Sequence, residues 1–232
     1  TGPDGSAVVS GNAMHVVGEL PLEFPNGKFI YVGPNPKFSR DHYKVWGRGP
    51  RQRDIGFSNG WHHWFEGDGM IYALDFESMK PSEAQISDRG TPGEVQDNCT
   101  SSFTKETGAF YVKHRRGRNR RLRYRNRYVR TNSWHDELRS GSRLFRPLMN
   151  TSGLSFLPHA IANLFLGGNF LKDSANTALT FFAGRLLTLQ DTMPPWEIDT
   201  ITLETRGPCD FGGTLPFYVP FTAHPKVAPD SG

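Results

Sequence analysis

Residues 177–190, TALTFFAGRLLTLQ, decide the fold class. Two runs rich in β-branched, aromatic and leucine residues, TALTFFA (177–183) and RLLTLQ (185–190), flank Gly184; each is too short for an ordinary globular helix and the right length for a strand. A glycine between two such runs marks a hairpin tip, because it reaches the left-handed backbone conformation that a tight reversal needs. Outward from the hairpin, MIYALDF (70–76) and TITLET (200–205) read as further strands. The 232 residues include 25 Gly and 17 Pro, and this punctuation favours short strands and turns over long helices. With 36% hydrophobic and 12% aromatic residues the chain has the material for a packed core, which excludes a disordered polypeptide. The expected class is all-β, built from hairpins as in a barrel, sandwich or propeller.

The formal charge of +4 conceals an uneven distribution. The run KHRRGRNRRLRYRNRYVR (113–130) holds ten Lys or Arg and no acid, leaving the remainder net acidic. Such a run invites a nucleic-acid-binding reading, since dense Lys and Arg supply phosphate attraction. From Leu122 onward, however, Leu122, Tyr124 and Tyr128 alternate with Arg123, Arg125 and Arg127, the pattern of a half-buried strand. Upstream, residues 77–112 are rich in Ser, Thr, Gly and Pro and lack sustained periodicity, as a surface insertion between strands would.

One segment departs from the β pattern. GLSFLPHAIANLFLGGNFL carries no charge, and Leu157, Ile161, Leu164 and Phe165 recur at helical spacing within 154–171. Over the whole uncharged stretch between Arg146 and Lys172, His159, Pro158, three Asn and Gly167-Gly168 argue against a membrane span. A buried helix and an interfacial helix both fit what remains.

Cys99 and Cys209 form neither a C-x-x-C pair nor a disulfide framework, which makes a reducing compartment the default and gives the sequons at Asn98 and Asn150 little weight. The chain starts at Thr1 without a signal-peptide pattern and stops on the turn-forming residues Pro229, Asp230, Ser231 and Gly232. It reads as part of a longer polypeptide.

Several stretches together carry a family resemblance. GKFIYVGPNPKF (27–38), HHWFEGDGMIYAL (62–74), YRNRYVRT (124–131), ANTALTFFAGRLLTL (175–189) and TAHPKV (222–227) resemble, in order, motifs of the carotenoid cleavage dioxygenases. The resemblance covers about residues 20–232, interrupted by the insertion at 77–121, and five ordered motifs are far more specific than one.

The resemblance implies a seven-bladed β-propeller with Fe(II) on its axis, held by four histidines, that uses O2 to split a conjugated double bond of a carotenoid or apocarotenoid into aldehyde or ketone products. Within it the chain (1–232) is the N-terminal part of a single propeller domain, about two blades with an inserted apolar helical segment, since seven four-stranded blades need about 280 residues or more. The histidine of TAHP carries over to His224 as the first iron ligand, and a neutral imidazole followed by a proline suits that role. Gln190 and Asp191 fall where relatives often have Trp-Glu or a small residue followed by Glu, beside the iron cavity; a shorter carboxylate there would reshape it. His62 and His63 read as packing residues beside the GDG turn at Gly67 and Gly69. Glu66 stands where the family often has Asp, and Tyr72 where it often has His. The family's apolar tunnel mouth makes 154–171 a membrane-interacting segment, with Phe156, Leu157, Leu164 and Phe165 as the contacting residues. The expected cofactor is Fe(II), and the expected partners are the carotenoid or apocarotenoid, O2 and a membrane surface, with no nucleic acid. The expected location is intracellular, plastid or cytoplasmic. A propeller relic without iron and a nucleic-acid module on residues 113–130 are the alternatives.

Overall fold

In the computed structural model the described residues are 23–37, 64–78, 100–104, 109–113, 120–141, 143–146, 148, 156–167, 170–216 and 219–226. His62, His63, Cys99, the sequon asparagines Asn98 and Asn150, residues 114–119 of the basic run and the last six residues lie outside them. The chain divides into two units, Thr1–Tyr31 with Tyr72–Arg127, and Val32–Ile71 with Tyr128–Gly232.

One sheet has five strands in the order β1-β2-β5-β4-β3, where β1 is Gly27–Pro34, β2 Gly69–Ser78, β3 Thr100–Thr104, β4 Ala109–Lys113 and β5 Arg120–Tyr128. Residues 77–121, read from sequence as an insertion between strands, thus contribute the antiparallel hairpin β3–β4, with Phe103 opposite Phe110. In the first unit, β5 keeps the alternation seen in its sequence: Leu122 and Asn126 are buried, and the arginines between them are half-buried. Their charges are met within the sheet. Arg125 Nη2 lies 2.8 Å and Lys28 Nζ 3.3 Å from the Asp75 carboxylate, and Arg121 pairs with Glu77 at 3.4 Å. Tyr72 stacks on Tyr31 with ring centroids 4.7 Å apart.

The second unit is organised by the hairpin. β6 (Ala178–Phe182) and β7 (Arg185–Leu189) pair antiparallel, turning through Ala183 and Gly184, both in the left-handed region (φ 48° and 74°). β8 (Trp196–Ile198) and β9 (Thr205–Pro208) complete an antiparallel meander in the order β6-β7-β8-β9. Leu187 and Leu189 enter a core with Cys209 and Ala223, against which Ala178, Phe211 and Phe221 pack.

TITLET (200–205), expected as a strand, is instead mostly the turn joining β8 to β9. Asp199 Oδ1 accepts the N–H groups of Ile201 (2.8 Å) and Thr202 (2.7 Å), and Leu203 N–H donates back to Asp199 O. These bonds, with Leu203 at φ 63°, override the β propensity of the Thr and Ile residues. The Thr202 N–H, then Arg206, then the Ile201 N–H hold the Asp199 carboxyl well below the usual carboxylate range.

Two helices belong to the same unit. α1 (Asn132–Ser140), which strand-dominated reading of the sequence missed, is capped at both ends: Thr131 Oγ1 accepts Trp134 N–H at 3.1 Å, and Gly141 (φ 66°) donates to Leu138 O. α2 (Phe156–Gly167) falls within the apolar segment. It buries His159, Ala160 and Asn163 and exposes Phe156, Leu157, Ile161, Leu164 and Phe165, the last at 83%. These five apolar side chains therefore do not fill a core among the described residues.

The Gly67-Asp68-Gly69 turn sits against the chain before β6. Gly69 N–H donates to Ser174 O and Val129 N–H to Gly69 O, each at 2.7 Å. A Cβ at Gly69 would stand 2.5 Å from Ser174 O and 2.6 Å from Ala175 O, both backbone atoms. Gly69→Ala should therefore destabilise the chain by about 2–3 kcal/mol, read as a lower urea midpoint; an unchanged midpoint would show that the two segments separate freely.

Beside this contact, Trp196 Nε1 donates to Asp173 Oδ2 at 2.8 Å, while Oδ1 has no hydrogen-bond partner among the described residues. Burial pushes the Asp173 carboxyl up to about 7 against the pull of the Trp196 bond. The folded chain then keeps a proton that the unfolded chain releases near 3.8, so stability should fall as pH rises from there through about 7. Asp173→Asn, which leaves an acceptor for Trp196, should flatten this slope in denaturation curves taken across that range. An identical slope in the variant would show that Asp173 titrates normally.

Candidate metal and substrate site

β7 ends at Leu189, and the two following side chains reach different loops. Gln190 Oε1 accepts Ser174 N–H (2.7 Å), Ser174 Oγ–H (2.8 Å) and Ala175 N–H (2.9 Å), and its Nε2 donates to Lys172 O (3.1 Å). Its amide is wholly engaged in shaping residues 172–175. Asp191 Oδ1 instead accepts the Ala223 N–H at 2.7 Å.

The loop that Asp191 meets carries His224. Ala223 is buried in the Leu187, Leu189 and Cys209 core, Phe221 N–H donates to Met193 O, and His224 N–H donates to Thr222 Oγ1 at 3.2 Å. Pro225 follows and biases His224 toward an extended backbone. The backbone before the histidine is thus fixed by packing and hydrogen bonding, while the His224 residue itself is exposed. Among the described residues its imidazole takes part in no hydrogen bond or ion pair.

His224, Gln190 and Asp191 border one cavity of about 270 Å³, all within the second unit. Its apolar wall includes Phe65, Phe145, Leu148 and Leu171. α2 reaches it through Asn163, whose side chain bonds Arg146 N–H, Arg146 O and Phe170 O. Phe156, Leu157, Leu164 and Phe165 are not among its lining residues. Asn176 donates to Phe65 O and Gly67 O at 2.6 Å each, and Glu66 accepts Leu148 N–H at 2.6 Å, so most polar side chains here hold backbone in place.

A charged cluster that sequence reading missed stands at the same wall. Lys172 Nζ lies 2.6 Å from Asp68 Oδ1 and 2.7 Å from Glu137 Oε2, and all three side chains are buried. The remaining oxygens serve backbone: Glu137 Oε1 accepts Leu144 and Phe145 N–H, and Asp68 Oδ2 accepts Lys37 N–H. Burial raises the Glu137 carboxyl above its ordinary value despite the opposing pull of Lys172. Removing one member of such a set leaves an uncompensated buried charge.

Among the described residues no group of three or more His, Cys, Asp or Glu could hold a metal ion. His224 offers a nitrogen donor at the cavity edge, which would fit one position of an iron site.

Comparison with known proteins gives this geometry a context. Residues 8–232 match the model of the retinal pigment epithelial membrane protein family. The chain is 38% identical over 114 residues to resveratrol cleavage oxygenase 1 of Aspergillus fumigatus, covering 48% of this chain and 20% of that protein. It is 28% identical over 228 residues to carotenoid 9,10(9',10')-cleavage dioxygenase 1 of Arabidopsis thaliana, covering 94% and 30% respectively. It thus spans less than a third of the length of these relatives. Among solved structures, Pseudomonas brassicacearum lignostilbene dioxygenase superposes with a TM-score of 0.51 at 23% identity, over 92% of this chain and 30% of that one, a likeness of fold. The match along nearly the whole sequence establishes the conclusion: the chain belongs to the retinal pigment epithelial membrane protein family, that of the carotenoid cleavage oxygenases.

Proposed function

We propose that the chain is part of a non-haem Fe(II) dioxygenase that cleaves a conjugated double bond of a carotenoid or apocarotenoid. The observation that carries this reading is His224, an exposed imidazole on a fixed backbone at the edge of a cavity with an apolar wall. Bound Fe(II) supplies the redox chemistry that makes O2 reactive toward the double bond. The overall change balances without an external reductant, since one C=C and one O2 give two carbonyl groups. Phe65, Phe145, Leu148 and Leu171 offer a surface for a polyene, and the bonds of Gln190, Asn176 and Asp191 keep the surrounding backbone from collapsing into the space.

The four-stranded antiparallel meander β6-β7-β8-β9 has the form of a propeller blade, and the whole protein is proposed to be a seven-bladed propeller whose other parts carry three further histidine ligands. In the whole protein, His224→Ala should lose its iron and yield no aldehyde or ketone from carotenoid and O2. Metal analysis and product chromatography test this; unchanged iron content in a folded variant would remove His224 from the site. The identity to a resveratrol cleavage oxygenase favours a conjugated stilbene as the second reading of the substrate. Resveratrol belongs in the same assay, and carbonyl products from it alone would select that reading.

The apolar face of α2 is proposed to rest in a membrane interface, delivering an apolar substrate. No helix among the described residues is long and apolar enough to cross a membrane. Phe156, Leu157, Leu164 and Phe165 nevertheless stand exposed on an uncharged helix, and burying each in lipid would contribute about 1.5–3 kcal/mol. Changing Phe156, Leu157 and Phe165 together to Ser should move the whole protein from vesicle-bound to free in flotation assays. Unaltered flotation of a folded variant would exclude this surface.

A further inference from the structure

We infer that Arg146 is a specificity-determining residue, and that the cavity takes a substrate with a carboxylate at one end. The inference rests on the proposed cleavage of a conjugated polyene and names the chemistry of its terminus. Arg146 lines the cavity and is half-buried, and its guanidinium takes part in no hydrogen bond or ion pair among the described residues. The other cations of the wall are already engaged: Lys172 lies between Asp68 and Glu137, and Arg143 has a contact of its own. Glu66 and Asp191, the carboxylates of the wall, bond to the backbone N–H groups of Leu148 and Ala223 and not to Arg146. Arg146 is therefore left as the cation of this wall without an acceptor, on a surface that Phe65, Phe145, Leu148 and Leu171 make apolar.

The loop that carries Arg146 is held in place without regular structure. Glu137 Oε1 accepts Leu144 and Phe145 N–H, Asn163 bonds to Arg146 N–H (2.6 Å) and O (3.1 Å), and Glu66 Oε1 accepts Leu148 N–H. Phe145, only 1% exposed, anchors the loop by packing. None of these restraints uses the Arg146 side chain; they fix where it starts and leave its head to a ligand. An arginine fork matches a carboxylate through two parallel hydrogen bonds. A hydrocarbon end seated here would instead cut the guanidinium off from water and give it no acceptor, at a cost in free energy. Size points the same way. The cavity of about 270 Å³ is below the ~300–1,000 Å³ of pockets that enclose a whole ligand, so it admits one end of a polyene. His224 borders the same cavity, so the carboxylate belongs to the arm between the cleaved bond and its nearer terminus, and the product of that arm is an oxo-acid. The balance is unaltered: one C=C and one O2 give two carbonyl groups, and the carboxylate itself does not react.

Binding is read without turnover, by quenching of protein fluorescence in the metal-free whole protein under anaerobic conditions, with all-trans-retinoic acid and its methyl ester as probes. The acid should bind more tightly than the ester. Arg146→Leu, which keeps an apolar stem, should weaken binding of the acid by about 10–100-fold and leave the ester unchanged. Its melting temperature should stay the same, because the bonds that hold residue 146 are made by backbone. Should Arg146→Leu fail to fold, Arg146→Gln must show the same selective loss. Equal binding of acid and ester to the unsubstituted protein overturns the inference. A loss in the variant that is the same for both probes overturns it too, since Arg146 would then only pack, and so does failure of both probes to bind. His224→Ala should keep the preference for the acid, which is read without metal, while losing iron and carbonyl production. Selective, Arg146-dependent binding of the acid in a protein that forms no carbonyl product from any polyene leaves the carboxylate site standing and counts against the dioxygenase reading alone.

Discussion

In the second unit the backbone of Gly69 lies close against residues 174–175, and much of the unit depends on this contact. Gly69 gives its N–H to Ser174 O and takes the N–H of Val129, so one residue without a side chain ties the start of β2 to the segment before β6 and to the chain leaving β5. A space of 2.5 Å for any Cβ leaves glycine as the residue that fits. Asp68, next to it, is thereby brought to Lys172, and Lys172 to Glu137 on α1. Through Gln190 the same 172–175 segment is fastened to the end of β7. The cavity wall follows from this chain of contacts, since Lys172, Ser174 and Asn176 all line it from the segment that Gly69 fixes.

The buried ionic groups of this unit make sense as solutions to a backbone problem. Lys37, Leu144, Phe145, Arg146, Leu148 and Phe170 lie in loops, and Asp68, Glu137, Glu66 and Asn163 bond to their backbone N–H or C=O groups. Burying carboxylates costs solvation, which Lys172 offsets for two of them. Asp173 makes no ion pair among the described residues, and burial pushes its carboxyl up, as it does that of Glu137. Polar side chains here mainly order loops around an open space, and the exposed imidazole of His224 differs from them in having no such engagement among the described residues.

Sequence pattern revealed what local chemistry controls. The β6–β7 hairpin was legible because Gly184 marked its turn, and β5 because its alternation survived a dense arginine run. α1 escaped because two of its three buried residues, Ser133 and Glu137, are polar, which erases the apolar period; its caps, Thr131 and Gly141, were the available signal. TITLET looked like a strand because β propensity is read residue by residue, whereas one aspartate bonding ahead to two N–H groups makes a turn. For α2 the spacing showed that Leu157, Ile161, Leu164 and Phe165 recur together but not that they face outward, because periodicity has no direction until the opposite face finds partners. Lys172, Asp68 and Glu137 share no local pattern at all, so their meeting is a tertiary fact.

Gln190 and Asp191 show the same limit at the scale of one peptide bond. Adjacent in sequence, they invited a single role. Successive side chains at the end of a strand diverge, however, and here one reaches residues 172–175 while the other reaches 223. The cavity edge is thus held from one strand end by two independent braces, one to the wall and one to the histidine loop. Both depend on where β7 stops, and β7 is the strand whose leucines are most deeply buried, so the position of His224 is referred back to the most firmly packed part of the meander.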